Sequence, residues 1–164
     1  MRARVRRVSE AQQNPPADAV AMMNAGLEQL IPVAWRMGVR FTDLRRGYVQ
    51  ASLPFEGNGN HFGTVYAGVI FTLAEVLGGA LHFATFDATT HYPLVRGVDI
   101  KFLKPGRGDL TASASLDDET IARVLAEAGT DQKAPFELHA EVVDAEGVVV
   151  ATTVGDYQIR PHGR

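Results

Sequence analysis

At 164 residues the chain has room for one ordinary domain with its own core, and 46% hydrophobic against 21% charged residues is the composition of a soluble globular protein, not of a disordered or collagen-like one. Sixteen Lys and Arg against nineteen Asp and Glu give a formal charge of -3, so there is no global electrostatic case for nucleic-acid binding. The absence of cysteine excludes disulfides, thiolate catalysis and sulfur-ligated zinc, leaving His and carboxylate as the strong metal ligands.

Met1 to Arg7 carries four arginines with no apolar run behind them, which reads as a frayed arm and not as a secretory signal, and a cytoplasmic address is expected. Asn14-Pro15-Pro16 breaks the chain. Asp18 is placed to cap a helix running to about Leu30, with Val20, Met23, Leu27, Leu30 and Ile31 at helical spacing, and Pro32 ends or kinks it. Met37 to Leu44 and Tyr48 to Pro54 alternate apolar with polar residues around Arg45-Arg46-Gly47, which predicts a hairpin.

A loop with three glycines and two asparagines, Phe55 to Gly63, leads into Val65 to Phe86, almost wholly apolar with Glu75 as its one acid. One long helix is predicted there. It is long enough to cross a bilayer, but four features favour a helix buried in a core or interface. A mid-helix carboxylate is costly in lipid, Gly68, Gly78 and Gly79 weaken a lone helix, no basic cluster flanks it, and strands follow. Leu94 to Leu103 and Leu110 to Leu116 read as strands joined through Pro105-Gly106-Arg107-Gly108, and Asp117 caps a short amphipathic helix ended by Gly129. Alternation at Phe136, Leu138, Ala140 and Val142, a return at Asp144 to Gly147, and Val148 to Ile159 predict a closing hairpin.

Residues 1–35 thus form an arm and helix, and residues 36–160 an α+β domain in which an antiparallel sheet wraps a long central helix. The far side of that helix calls for a cover, most simply a second subunit.

Glu75 is the first candidate for chemistry, because burying a lone carboxylate costs desolvation with no obvious structural return and should raise its pKa. Pairing with a cation such as Arg96 is the structural alternative. The second candidate is the segment Asn60-His61-Phe62-Gly63-Thr64-Val65-Tyr66-Ala67-Gly68, which brings small residues and free N–H groups to a helix start, where anions and oxyanions are stabilised. On the local evidence alone an ordinary helix end, capped by Thr64 and with Gly68 small for close packing, is the favoured reading.

The segment Asn60 to Ala80 resembles the active-site segment of hotdog-fold acyl-CoA thioesterases, the group of phenylacetyl-CoA and 4-hydroxybenzoyl-CoA thioesterases. Asn60 holds the place of their Asn or Gln, Tyr66-Ala67-Gly68 that of their His-Gly-Gly, and Glu75 that of their Asp or Glu. Asn60 to Thr64 together with Phe102 to Asp109 looks still more like an uncharacterised thioesterase branch of that superfamily. Tyr66 and Ala67 depart from the pattern, so no imidazole role carries over, whereas an alanine still offers its N–H.

The resemblance implies a hydrolase for acyl thioesters. Ala67 and Gly68 would donate to the carbonyl, Glu75 would activate water or attack, and Asn60 would position water or carbonyl. No cofactor is implied beyond the coenzyme A of the substrate. Ala67 and Glu75 lie about 12 Å apart along one helix, so a homodimer, or a dimer of dimers, with antiparallel helices is expected to join them. Lys101, Lys104 and Arg107 are candidates for the coenzyme A phosphates, and His61 and Tyr66 for contacts with the substrate. No partnership with nucleic acid or membrane is expected. A non-catalytic acyl-CoA binding protein is the alternative on the same scaffold, and a dehydratase is weakened by Tyr66. Met22, Met23, Phe62, Phe71 and Phe83 read as core before they read as an acyl tunnel.

Overall fold

The computed structural model describes residues 15–129 and 132–163. The arginine-rich start, with Asn14, lies outside them. Helix α1 (Ala19–Leu30) is followed by the short α2 (Pro32–Arg36), with Pro32 at the first helical position, where its missing N–H costs nothing. Asp18 stands at the head of α1 without a side-chain capping bond, contrary to the capping role expected of it.

Strands β1 (Arg40–Arg45) and β2 (Tyr48–Leu53) form the first hairpin. The apolar segment is helical from Ala67 to Thr85, but it is interrupted at Val76 into α3 (Ala67–Glu75) and α4 (Leu77–Thr85). Strands β3 (His91–Phe102) and β4 (Leu110–Ser115), helix α5 (Asp118–Ala128), and strands β5 (Ala134–Asp144) and β6 (Val149–Pro161) complete the chain. Asp117 caps α5 by accepting from the Thr120 N–H at 2.6 Å, and Gly129 ends it at a positive φ.

The six strands form one antiparallel sheet in the order β1-β2-β4-β5-β6-β3. It wraps α3 and α4, which touch strands across its width, and this is the α+β hotdog architecture. Alternation makes the inner face: along β5, Phe136, Leu138, Ala140 and Val142 are buried while Glu137, His139 and Glu141 face solvent. Leu73, Leu77 and Leu81 supply the helix's part of the core. Most of the helix is enclosed in this way, so its apolar length belongs to a core helix. Ala19, Leu27 and Ala34 belong to the same core as the sheet.

The two edges of the sheet differ. At β1, the Asn24 side chain of α1 accepts from the Phe41 N–H at 2.8 Å and donates to the Phe41 carbonyl at 2.9 Å, copying the pairing of a neighbouring strand. At β3 half of the residues are exposed, including Val95 and Phe102, with Leu103 following.

Candidate active site

The loop before α3 is built around two asparagines. Asn58 is buried, donating from Nδ2 to the carbonyls of Met37 at 2.6 Å and Pro54 at 2.9 Å, while its own carbonyl accepts from the Tyr66 N–H. Asn60 Oδ1 accepts from the N–H groups of Phe62 at 2.9 Å and Thr64 at 3.3 Å and from the Thr64 hydroxyl at 3.2 Å. Thr64 is therefore held by Asn60 and does not cap the helix; Tyr66 is the residue at the cap position, and its side chain forms no capping bond. The Asn60 oxygen is committed to the loop, which leaves the Nδ2 amide as the end that can address a substrate.

Helix α3 begins with its dipole uncovered. The Tyr66 carbonyl accepts from the N–H groups of Val69 and Ile70, whereas those of Ala67 and Gly68, in the first turn, have no intrahelical acceptor and no backbone partner among the described residues. Neither Tyr66 nor Ala67 has a positive φ, so the Cβ of Ala67 causes no backbone strain. Gly68 is small for a local reason, since a Cβ there would stand 2.7 Å from the Tyr66 ring, itself 58% exposed.

The turn between β3 and β4 docks against this helix start. The Val65 N–H donates to the Gly106 carbonyl at 2.9 Å, and Asp109 accepts from the Phe55 N–H at 2.9 Å. Lys104 and Arg107, both exposed, thereby flank the entrance to α3, and Lys101 lies nearby on the open β3 edge. His61 is exposed, with its ring 3.9 Å from that of Phe62.

Glu75 ends α3. Its carboxyl is partly buried, desolvation raises its pKa, and among the described residues its side chain has no ion-pair or hydrogen-bond partner. Arg96 pairs with Asp156 at 3.3 Å, so the pairing considered for Glu75 does not form. The backbone carbonyl of Glu75 accepts from the Tyr157 hydroxyl at 3.1 Å. Tyr157 stacks on Phe136, and its ring fills the space left by Gly78 and Gly155, where a methyl group would overlap it. That contact accounts for Gly78 and sits where the helix is interrupted.

The helix start and Glu75 are thus on one helix, eight residues apart, and do not meet within the chain. Phe62 (76% exposed), Met22 and Phe71 are exposed and not in the core, contrary to the role expected of them, whereas Met23 and Phe83 pack against it; Met22, Met23 and Phe83 line an apolar cavity between α1 and α4. Asn24, Asn58, Asp109 and Tyr157 escaped the sequence reading, because each acts through a backbone group remote in sequence.

Residues 20–158 match the DUF4442 family, a domain of unknown function, and the chain belongs to that family. No curated protein matches it. Among solved structures it is similar to PA5026 from Pseudomonas aeruginosa, described as a protein of unknown function and probable thioesterase. The two are 38% identical, with a TM-score of 0.81 over 92% of this chain and 99% of that one. It also shares the fold of HI1161 from Haemophilus influenzae, described as a thioesterase, at 13% identity and a TM-score of 0.71, over 93% of this chain and 99% of that one. A point mutant of thioesterase PA1618 from Pseudomonas aeruginosa aligns at 18% identity and a TM-score of 0.70, over 91% of this chain and 99% of that one. These likenesses support the hotdog thioesterase branch as the structural setting of the chain.

Proposed function

We propose that the protein hydrolyses acyl thioesters, of coenzyme A or a related carrier, at a site completed by a second copy of the chain. The observation that carries this reading is the carboxyl of Glu75, partly buried and without a partner among the described residues, in an otherwise apolar helix of a chain whose solved relatives include a probable thioesterase and a thioesterase. A desolvated carboxylate is a stronger base than one in water, and its cost is accounted for when it takes a proton during turnover.

In the reaction the Glu75 carboxylate removes a proton from water as the oxygen attacks the thioester carbon. The carbonyl oxygen becomes an oxyanion that receives the Ala67 N–H, assisted by Gly68 and by the positive end of the α3 dipole. Collapse breaks the carbon–sulfur bond, the proton held by Glu75 passes to the departing sulfur, and a carboxylic acid and a thiol are released. Asn60 Nδ2 donates to the carbonyl or orients the water. Lys104 and Arg107 beside the helix start meet the phosphates of the carrier, with Lys101 further along.

Both catalytic groups reach one carbon only if they come from different helices. The open β3 edge, with Val95 and Phe102 exposed and Phe71 on the adjoining helix face, suits a two-fold partner that sets the helices antiparallel. The assay is thiol release from acetyl-, decanoyl- and aromatic acyl-CoA by wild type and Glu75→Gln. Turnover by wild type and its loss in the folded variant support the reading. Equal turnover by both overturns the role of Glu75, and acyl-CoA binding without turnover by either replaces hydrolysis with a binding function.

A further inference from the structure

Between α1 and α4 lies an apolar cavity of about 350 Å³, walled by Met22, Leu27, Phe41, Val76 and Phe83. It opens to solvent on the side where Met22, Leu30 and Ile31 are exposed, and its volume is more than twice that of an apolar cavity of ~150 Å³ that admits benzene. Among the described residues no charged side chain lines it.

Two glycines explain why the space is open. Gly26 of α1 and Gly79 of α4 both line the cavity, and a Cβ at either position would have no heavy atom within 4 Å beyond its own helix. Neither glycine is required by packing, in contrast to Gly78, whose space the Tyr157 ring fills. Both lie inside helices, where glycine is less favourable than alanine. The chain therefore forgoes helix stability at two facing positions, and what it gains is room. Asn24, two residues before Gly26, ties α1 to the β1 backbone.

The cavity adjoins the candidate base. Val76, the residue after Glu75, lines the cavity itself, and Gly79 follows Glu75 by four residues, about 6 Å along the axis at 1.5 Å per residue. We infer that this cavity between α1 and α4 holds the acyl group of the substrate, and that the acyl group is an unsubstituted aliphatic chain with on the order of ten carbons inside the wall. The inference rests on the thioesterase reading for its substrate and adds where the acyl part sits. Chemistry selects the class: the lining offers no partner to a phenol or other hydroxyl, which would be buried unpaired, and methionine side chains adapt to a flexible chain.

The test uses the full chain and four variants, Gly26→Ala, Gly26→Leu, Gly79→Ala and Gly79→Leu. It measures kcat/KM on acetyl-, hexanoyl-, decanoyl- and 4-hydroxybenzoyl-CoA, calorimetric binding of decanoate, and melting temperature. In wild type, kcat/KM should rise at least tenfold from acetyl- to decanoyl-CoA and favour decanoyl- over 4-hydroxybenzoyl-CoA at least tenfold. Each leucine variant should lower the decanoyl-to-acetyl ratio and weaken decanoate binding at least tenfold. The alanine variants should raise the melting temperature while lowering that ratio in smaller steps, a combination that a merely structural glycine does not produce; if leucine prevents folding, they decide the matter.

A ratio and a decanoate affinity within twofold of wild type in the variants overturn the inference, as does wild-type preference for the hydroxylated aromatic substrate. If wild type cleaves none of the thioesters, the hydrolase reading fails while the binding arm still decides the cavity. Decanoate bound by wild type and lost in the variants supports it, and decanoate not bound, or bound equally by all, removes it.

Discussion

The Tyr157 hydroxyl donates to the backbone carbonyl of Glu75 at 3.1 Å, so a residue of the last strand fixes the turn of helix that carries the candidate base. The carbonyl lies where the helix is interrupted at Val76, and the ring beside it occupies the space left by Gly78 and Gly155.

Tyr157→Phe removes this donor while keeping the ring, and is expected to cost about 1 kcal/mol of stability. The accompanying loss should fall on kcat more than on KM, because the carboxyl is displaced while the carrier site is untouched. Steady-state kinetics and chemical unfolding check both. Gly78→Ala drives a methyl group into the ring and should cost about 1–3 kcal/mol.

The pH profile should carry the mark of Glu75. Desolvation raises its pKa, so the acid limb of kcat/KM should have its midpoint above the ordinary glutamate range, and Glu75→Gln should abolish turnover. The same shift has a stability consequence. The folded state holds the proton more tightly than the unfolded one, so this group's contribution is greatest below the unfolded pKa and is lost as pH rises through the folded pKa. Melting of Glu75→Gln across acidic pH should lack that component.

His82 has the opposite sign. It is buried with Nε2 lacking a partner among the described residues, and its pKa is lowered to about 4, first by desolvation and then by His91 and His162, against a smaller opposing effect of Asp87. Its contribution to stability is full above about 6.5 and is lost as pH falls toward 4. The difference between those values corresponds to on the order of 3 kcal/mol. In His82→Phe the stability between pH 6.5 and 4 should fall less steeply, as followed by denaturant unfolding at fixed pH.

Reversing charge at Lys104 and Arg107 should raise KM for acyl-CoA several-fold, because both sit on the turn that Gly106 fastens to Val65 at the head of α3. A small thioester without the nucleotide should show little change. Equal effects on both substrates would assign the turn a purely structural role.

Phe102→Lys, on the open β3 edge, should convert a dimer into monomers in sedimentation and remove turnover with it, while far-ultraviolet circular dichroism stays the same. A monomeric variant that is fully active would show that one chain suffices.

Much of this architecture is legible in the sequence where local rules act alone. The alternation along Phe136, Leu138, Ala140 and Val142 foretells β5, and Asp117 and Gly129 bound α5, because pattern and cap need no distant partner. The break at Val76 is not legible, since apolar composition continues across it and the hydroxyl beside it belongs to Tyr157, 82 residues on. Asp18 and Thr64 look like caps and are not, the first making no capping bond and the second being held by Asn60. Phe62 and Phe71 read as core because composition does not separate a core residue from one awaiting a partner.

The Asn24 side chain, bonded to both backbone groups of Phe41, also bears on how many copies can assemble. With the Phe41 N–H and carbonyl taken by a helix-borne amide, β1 is blocked at that residue against a further strand, whereas β3 is the open edge. Two copies joined at β3 by a two-fold axis would consume both β3 edges and leave at each end a β1 whose Phe41 groups are already bonded, which disfavours strand addition beyond the two six-stranded sheets.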